Sequence, residues 1–497
     1  MIDFEKLSEY RENNHLEVKR ATGGLPKSIW ETYSAFANTS GGLIFLGVDE
    51  NTDKSLNVVG LDNPEKLVSD FWNTVNNKKK VSTNILRDKN VQIVEQEGKR
   101  IIVVEVPRAE RGDKPIYLND DIWCAYRRNG EGDYRCSKSN VRAMIRDSAN
   151  DTQDMLVLEK MSSSVFDYTA VNGYRNAMRA TRPNHVWINL DDDEFLWKLG
   201  AIDRGEDNQL HPTAAGLLMF GFEYEIVKEF AHYFLDYQEH FDSSLRWTDR
   251  VTSTSGEWSG NLFDFYHKAY NKLIQNPSIK TPFRLEGGYR VDDTPVHGAV
   301  REALANCIIN ADYYGEGGLV IKNYTDRIVL ENPGGLRIGI EEAISGGFSN
   351  PRNSVLMKMF NLLDIGERAG SGIPNIYSVW REQKLERPQI EERLDSVERT
   401  VLVLPLKKQP IKTADKKQPI KTADKKQPIK TIQQKEVIIK YAQENSELKS
   451  ADLVDVLNVG ETRVRALLRD LVSEGTLVAS GTNRNRVYKL VQNHVDE

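Results

Sequence analysis

Glu12-Asn13-Asn14-His15-Leu16-Glu17-Val18-Lys19-Arg20 is the stretch on which the fold of the N-terminal part turns. Leu16 to Arg20 alternates apolar and charged residues, the period of a strand, so Glu17 and Lys19 share one face. Pro26 opens a helix predicted from Lys27 to Asn38, with Ile29, Trp30, Tyr33 and Phe36 at helical spacing. Ser40-Gly41-Gly42 breaks it. Leu43-Ile44-Phe45-Leu46-Gly47-Val48 then reads as a buried strand ending in Asp49-Glu50, and Ile101 to Val106 as another. Strands and helices in this order give residues 1–150 an α+β pattern. Strand ends are where side chains converge on a cleft. Three carboxylates there can hold a divalent cation and assist phosphodiester cleavage; the other reading is solvated charge at a strand end.

The chain has 497 residues, enough for three or four domains at roughly 100–200 residues each. No apolar run approaches the ~18 residues that cross a bilayer, so no membrane is expected. Met1 to Lys6 lacks a basic region followed by an apolar stretch, which predicts a cytoplasmic protein. Cys124, Cys136 and Cys307 fit neither a disulfide framework nor a zinc pattern. Net charge is −6, but Lys-Lys-Gln-Pro-Ile-Lys-Thr recurs from Lys407, Lys416 and Lys425, and residues 407–430 carry +7. Proline in every unit and the lack of a core-forming residue set predict an extended linker over 406–431, able to touch phosphate backbones or serve as a spacer.

Residues 432–497 read as a winged helix. Helices are expected over Ile432–Ala442, Ala451–Leu457 and Glu461–Glu474, with Val464, Leu467, Leu468 and Leu471 on one face of the third. A hairpin follows, from Leu477-Val478-Ala479 to Arg486-Val487-Tyr488-Lys489-Leu490. Arg463, Arg465 and Arg469 on the third helix, with Arg484 and Arg486 in the wing, are the expected nucleic-acid contacts; a protein-docking surface is the alternative.

Residues 151–290 read as a mixed, aromatic-rich connecting domain. In 291–405, an α/β unit, Glu302, Asn306 and Asn310 stand four apart on one helix face. A strand, Ile328 to Leu330, leads into Glu331-Asn332-Pro333-Gly334-Gly335, followed by Asn350-Pro351-Arg352-Asn353 and Glu367-Arg368-Ala369-Gly370-Ser371-Gly372. Glycine-rich turns let backbone amides approach phosphates.

The motifs Glu12 to Arg20, Ser34-Ala35-Phe36-Ala37-Asn38-Thr39-Ser40-Gly41-Gly42 and Gly47-Val48-Asp49-Glu50, in that order, resemble the Schlafen-core domain, also called divergent AAA or Alba-like. The resemblance implies nucleic-acid binding and, as in animal Schlafens, a metal-dependent ribonuclease acting on transfer RNA. Its carboxylate cluster would be Glu12, Glu17 and Glu50, with Asp49 adjacent, holding Mg²⁺ or Mn²⁺, while Lys19 offsets phosphate charge. Glu50 stands where the family usually has aspartate. Arg127 and Arg128, before Asn129-Gly130-Glu131-Gly132-Asp133, either meet phosphate or pair with local carboxylates.

The 291–405 segments resemble a divergent GHKL-type ATPase fold, the fold of histidine kinases and gyrase, often fused to the Schlafen-core domain in bacteria. The resemblance implies ATP binding by Glu302, Asn306, Asn310, Asn332, Gly334, Gly370 and Gly372. Glu302 and Asn306 would serve water and Mg²⁺, and Gly370 and Gly372 the phosphates. Asn332 stands where that family reads adenine with an aspartate. The fold class expected is thus multidomain α/β and α+β: Schlafen-core domain, GHKL-like sandwich and winged helix-turn-helix. The leading expectation is a homo-oligomeric bacterial nucleic-acid-binding protein with an ATP-binding domain, possessing nuclease action on RNA in phage defence. The rivals are a transcriptional regulator that never cuts and an oligomeric scaffold with a decayed ATPase-like domain.

Overall fold

The computed structural model describes residues 13–96, 98–280, 285–286, 289–290, 294–366, 370–393, 397–408, 429–445, 448–450, 452–457, 461–473, 476–480 and 487–490. Glu12, Arg484, Arg486 and the basic repeat over 409–428 lie outside them, as does the side chain of Arg463. Contacts divide the chain into two units, Met1–Pro410 and Ile411–Glu497.

The first unit begins with β1 (Leu16–Lys19), α1 (Ile29–Asn38), β2 (Gly42–Leu46), β3 (Val48–Glu50), β4 (Leu56–Val58), α2 (Pro64–Val75), β5 (Val91–Gln96) and β6 (Lys99–Val106). Then come β7 (Tyr117–Leu118), β8 (Asp121–Asn129), β9 (Gly132–Arg135) and α3 (Lys138–Ser148). The main sheet runs β1-β2-β6-β5, with β1 parallel to β2, and β7-β8-β9 form a second sheet. The predicted strand 43–48 ends at Leu46. Gly47 takes φ +88° because the chain turns there against Leu61 and Gly60, and Val48–Glu50 pairs with β4 instead.

The segment Ser34 to Gly42 is a packing device. Asn38 Nδ2 donates to the Ile116 and Tyr126 carbonyls (2.8 and 3.1 Å), and its Oδ1 accepts from Ile116 N at 2.8 Å. Ser34 Oγ donates to Ile116 O at 2.7 Å. One buried helix face thereby satisfies the backbone of Ile116, just before β7, and the Tyr126 carbonyl on β8, which otherwise lose their water partners on burial. Gly41, at φ +75°, has room for no side chain: a Cβ would stand 2.8 Å from Val106 O.

Next come α4 (Tyr168–Thr181), α5 (Asp192–Leu199), β10 (Ile202–Arg204), β11 (Leu210–Pro212), α6 (Ala214–Phe220), α7 (Glu223–Glu229), β12 (Leu235–His240), β13 (Asp249–Thr252) and α8 (Leu262–Leu273). A short hairpin, β14 (Leu285–Glu286) and β15 (Tyr289–Arg290), precedes α9 (Pro295–Ile309), β16 (Leu319–Tyr324), β17 (Arg327–Pro333), α10 (Ile340–Ser345), α11 (Ser354–Leu362), α12 (Gly372–Glu382), β18 (Gln389–Arg393) and β19 (Arg399–Pro405). One six-stranded sheet, β13-β12-β16-β17-β19-β18, spans the boundary expected near residue 290. One hydrophobic cluster runs from Leu158 to Leu406, so 151–290 and 291–405 share a core. The sequence hides this because β12 joins β16 by a parallel crossover whose only local trace is apolar patterning.

The second unit comprises α13 (Ile429–Glu444), α14 (Asp452–Leu457), α15 (Glu461–Ser473) and an antiparallel pair, β20 (Leu477–Ser480) with β21 (Val487–Leu490). Its first helix begins at Ile429 rather than Ile432. Val464, Leu467, Leu468 and Leu471 are buried together with Ile438, Leu453 and Tyr488. No helix among the described residues is long and apolar enough to cross a membrane.

Candidate functional site

Leu16 and Val18 on β1 pack into a core with Phe45, Val48 and Val103, which turns Glu17 and Lys19 to the opposite face. There Glu17 meets cations. Its carboxylate lies 2.8 Å from Arg128 Nη2 on β8 and is also ion-paired to Lys19. Arg128, only 1% exposed at its side chain, is held from several sides. It reaches Asp133 at 3.0 Å, donates to the Asn13 and Leu16 carbonyls, and stands 5.2 Å from the Phe36 ring centroid. Asp133 accepts in turn from Thr32 Oγ1 at 2.6 Å. Glu17, Lys19, Arg128 and Asp133 thus form a charge-balanced cluster. On the neighbouring β3, Asp49 is half-buried and 3.7 Å from Arg20, and Glu50 is exposed, while Glu12, the remaining member of the expected carboxylate cluster, lies outside the described residues. Among the described residues no three metal-competent side chains converge. The sequence could place Arg128 only as one of two alternatives, and the carboxylate pairing is the one the fold adopts.

The Glu302 face of α9 is tightly packed. Thr294 caps the helix, and Asn306 Nδ2 donates to Glu302 Oε1 at 2.9 Å. Asn310 is the C-cap and donates to Asn306 O at 3.0 Å. Gly372 opens α12 directly against them: a Cβ there would stand 2.1 Å from Glu302 Oε1 and 2.8 Å from Asn306 Nδ2. Gly370, at φ +68°, presses equally on the Phe348 backbone. Asn306, Asn310, Gly370 and Gly372 line one cavity of about 80 Å³, together with Arg337 and Phe348. Asn332 and Gly334 do not line it. Asn332 is buried on β17 and its amide donates to Asn310 O at 3.4 Å, while Gly334 lies against the Arg352 guanidinium.

Arg352 is the residue that sequence reasoning passed over, although Asn350-Pro351-Arg352-Asn353 flagged its segment. Buried, it donates to Asn310 O (2.5 Å) and Gly335 O (2.9 Å) and forms a two-pronged pair with Asp147 on α3 (2.9 and 2.8 Å). Burial opposes its charge, but Asp147 overrides this and holds it above the usual arginine range. The pair joins α3 to the strand end where Asn332 sits. Asp147 has no sequence signal, since its partner is far along the chain.

Cavity size tests the fit of a nucleotide. Pockets for ligands of that class hold roughly 300–1,000 Å³. The residue types fit: a carboxylate and carboxamides on one helix face, opposite a glycine-bracketed helix start. At about 80 Å³ the cavity is smaller than a whole nucleotide requires.

On α15, Arg465 and Arg469 are exposed on the side away from Val464, Leu467 and Leu468. Arg469 Nε donates to Arg465 O at 3.3 Å.

Residues 12–137 match the family model "Schlafen, AlbA_2", residues 317–401 the model "Putative ATP-dependent DNA helicase recG C-terminal", and residues 142–236 a "Domain of unknown function (DUF8451)". Among solved structures, the DIP2311 protein from Corynebacterium diphtheriae is 17% identical, covering 96% of this chain and 95% of that one, with TM-score 0.41. The N-terminal domain of a RecG-related helicase-type protein from Nitrosomonas europaea is 33% identical over 27% of this chain and 90% of that one, with TM-score 0.21. No curated protein matches the chain.

Proposed function

We infer that this chain, which joins a Schlafen AlbA_2 domain to a recG C-terminal-type domain, is an ATP-responsive nucleic-acid-binding protein whose role is binding rather than cutting. The observation that carries the ATP-responsive part is Gly372 packed against Glu302 and Asn306. In this reading a bound nucleotide would part that contact and shift the start of α12. In this GHKL-like reading Glu302 and Asn306 would face the metal-bound phosphates, and the amides of Gly370 and Gly372 would receive them. The second unit supports a winged helix: three helices precede a hairpin, and the third helix presents Arg465 and Arg469 outward. RNA or DNA is the partner class.

The Arg128 cluster favours binding over cutting. A metal-dependent nuclease centred on Glu17 needs that carboxylate freed from two cations, and a divalent ion must outcompete them. The test uses the purified protein with transfer RNA and with duplex DNA, with and without Mn²⁺ and with and without ATP. Retention of intact nucleic acid, with affinity altered by ATP and restored in Asn306→Ala to its ATP-free value, is expected. Mn²⁺-dependent cleavage abolished by Glu17→Gln returns the nuclease reading. Calorimetry without heat at millimolar ATP leaves the second domain a scaffold.

A further inference from the structure

A second cavity lies where the N-terminal domain meets β17 and β19. Its volume is about 40 Å³, against the roughly 10–15 Å³ that one water requires. Five cations line it, Arg108, Arg111, Lys114, Arg127 and Arg337, against two carboxylates, Asp147 and Glu398. Several donors are already committed. Arg108 is engaged with Glu392 (2.5 and 3.1 Å) and Leu336 O, Arg111 with the Asp147 and Ala149 carbonyls, and Lys114 with Asn38 O at 3.2 Å. Arg127, buried, spends one nitrogen on Glu398 at 2.9 Å. Its Nε and Nη1, and Arg337 Nε, are buried without a hydrogen-bond partner among the described residues.

Orphaned guanidinium donors are costly, and an excess of buried positive charge is more so. Water can fill the space and satisfy donors, but it cannot neutralise charge. We propose that this junction cavity is a binding site for one small phosphoryl-type oxyanion, either free phosphate or the terminal phosphoryl group of a nucleotide, held by Arg127, Arg337 and Lys114. A tetrahedral oxyanion offers acceptors to the open donors at once and offsets the positive charge that remains after Glu392 pairs with Arg108 and Glu398 with Arg127. Leu336 and Arg337 also line the cavity beneath Asn306, so an anion here touches the same loop.

Lys114 supplies an independent readout. Burial, then Arg108 and Arg127, pull its ammonium down to about 7, with Glu392 and Glu398 opposing. Four groups around it are shifted elsewhere. Glu398 is held low despite burial by Arg127, Asp147 likewise by Arg352, and burial pushes the Cys136 thiol up to about 11 and pulls Arg337 down only to about 10. A bound dianion keeps Lys114 protonated, so anion affinity must fall as pH rises through about 7.

The experiment is thermal unfolding and calorimetry of the full chain with sulfate, which does not itself titrate near neutrality, then with inorganic phosphate and with ATP, against chloride at matched ionic strength. Sulfate and phosphate should raise Tm saturably. Sulfate affinity should drop roughly tenfold or more in Arg127→Lys, which keeps a cation for Glu398 but lacks the extra donors. Lys114→Met should weaken sulfate at low pH and flatten its pH dependence. ATP acting in Glu302→Gln but not in Arg127→Lys identifies the nucleotide phosphoryl as the source; phosphate acting alone identifies the free ion. If Arg127→Lys fails to fold, Lys114→Met decides. No saturable effect of sulfate or phosphate beyond chloride, or unchanged sulfate binding in both variants, overturns the proposal.

Discussion

At Arg128 one nearly buried guanidinium pairs with two carboxylates, Asp133 and Glu17, the latter shared with Lys19. Removing Arg128 leaves Asp133 without its cation and Glu17 with Lys19 alone. Arg128→Met should therefore destabilise the protein by about 3–5 kcal/mol, and the triple change with Glu17→Gln and Asp133→Asn should recover most of it; urea unfolding measures both. Lys114 makes a different prediction. Its folded value of about 7 lies below the unfolded value, so between the two the unfolded chain binds the extra proton. In the anion-free protein, stability should rise with pH from about 7 toward about 10.5, and Lys114→Met should abolish that slope. The sequence placed Glu17 and Lys19 on one strand face because strand period two fixes the side, but left open whether that face is a cleft or solvated. It could not show which cation would face Glu17, since Arg128 arrives from a strand far along the chain. Asn332 illustrates the same limit: its place at the end of β17 was readable, but not that its amide is spent on Asn310 O.

Elements were read best where one local rule applied. The helix ending at Asn38, the strand preceding Pro333 and the buried face of α15 all follow from spacing alone. Gly47 escaped because an apolar run looks continuous until tertiary contact forces a turn. The start of α12 tests how much a helix junction depends on one missing methyl. Gly372→Ala places a carbon inside the van der Waals distance of Glu302 Oε1. The helix must shift, at a cost of about 1–3 kcal/mol in thermal unfolding, and any ATP-induced rise in Tm should shrink with it. Ala at Gly98, where a Cβ meets nothing within 4 Å but φ is +71°, separates backbone strain from crowding.

Over the first unit as a whole, the N-terminal domain and the recG C-terminal-type domain are joined by opposite charges. Arg108 meets Glu392, Arg127 meets Glu398, Arg146 meets Asp312 at 2.8 Å, and Asp147 meets Arg352. Three of the four pairs place the cation on the N-terminal side. Such pairing is invisible in composition, because the charges cancel only after folding.

That asymmetry has a practical corollary for anyone dissecting the molecule. A fragment ending near residue 137 keeps Arg108, Arg111, Lys114 and Arg127 but leaves behind Glu392 and Glu398. The face that is masked in the whole chain becomes a naked basic patch, attractive to any polyanion. Such a fragment should elute from heparin at higher salt than the full chain, and Arg108→Gln with Arg127→Gln should remove most of the difference. Equal elution would mean the patch is not exposed by excision. If the difference is found, affinity for nucleic acid measured on the excised domain reports a severed joint, and the avidity of the fragment is a property that the intact protein never displays.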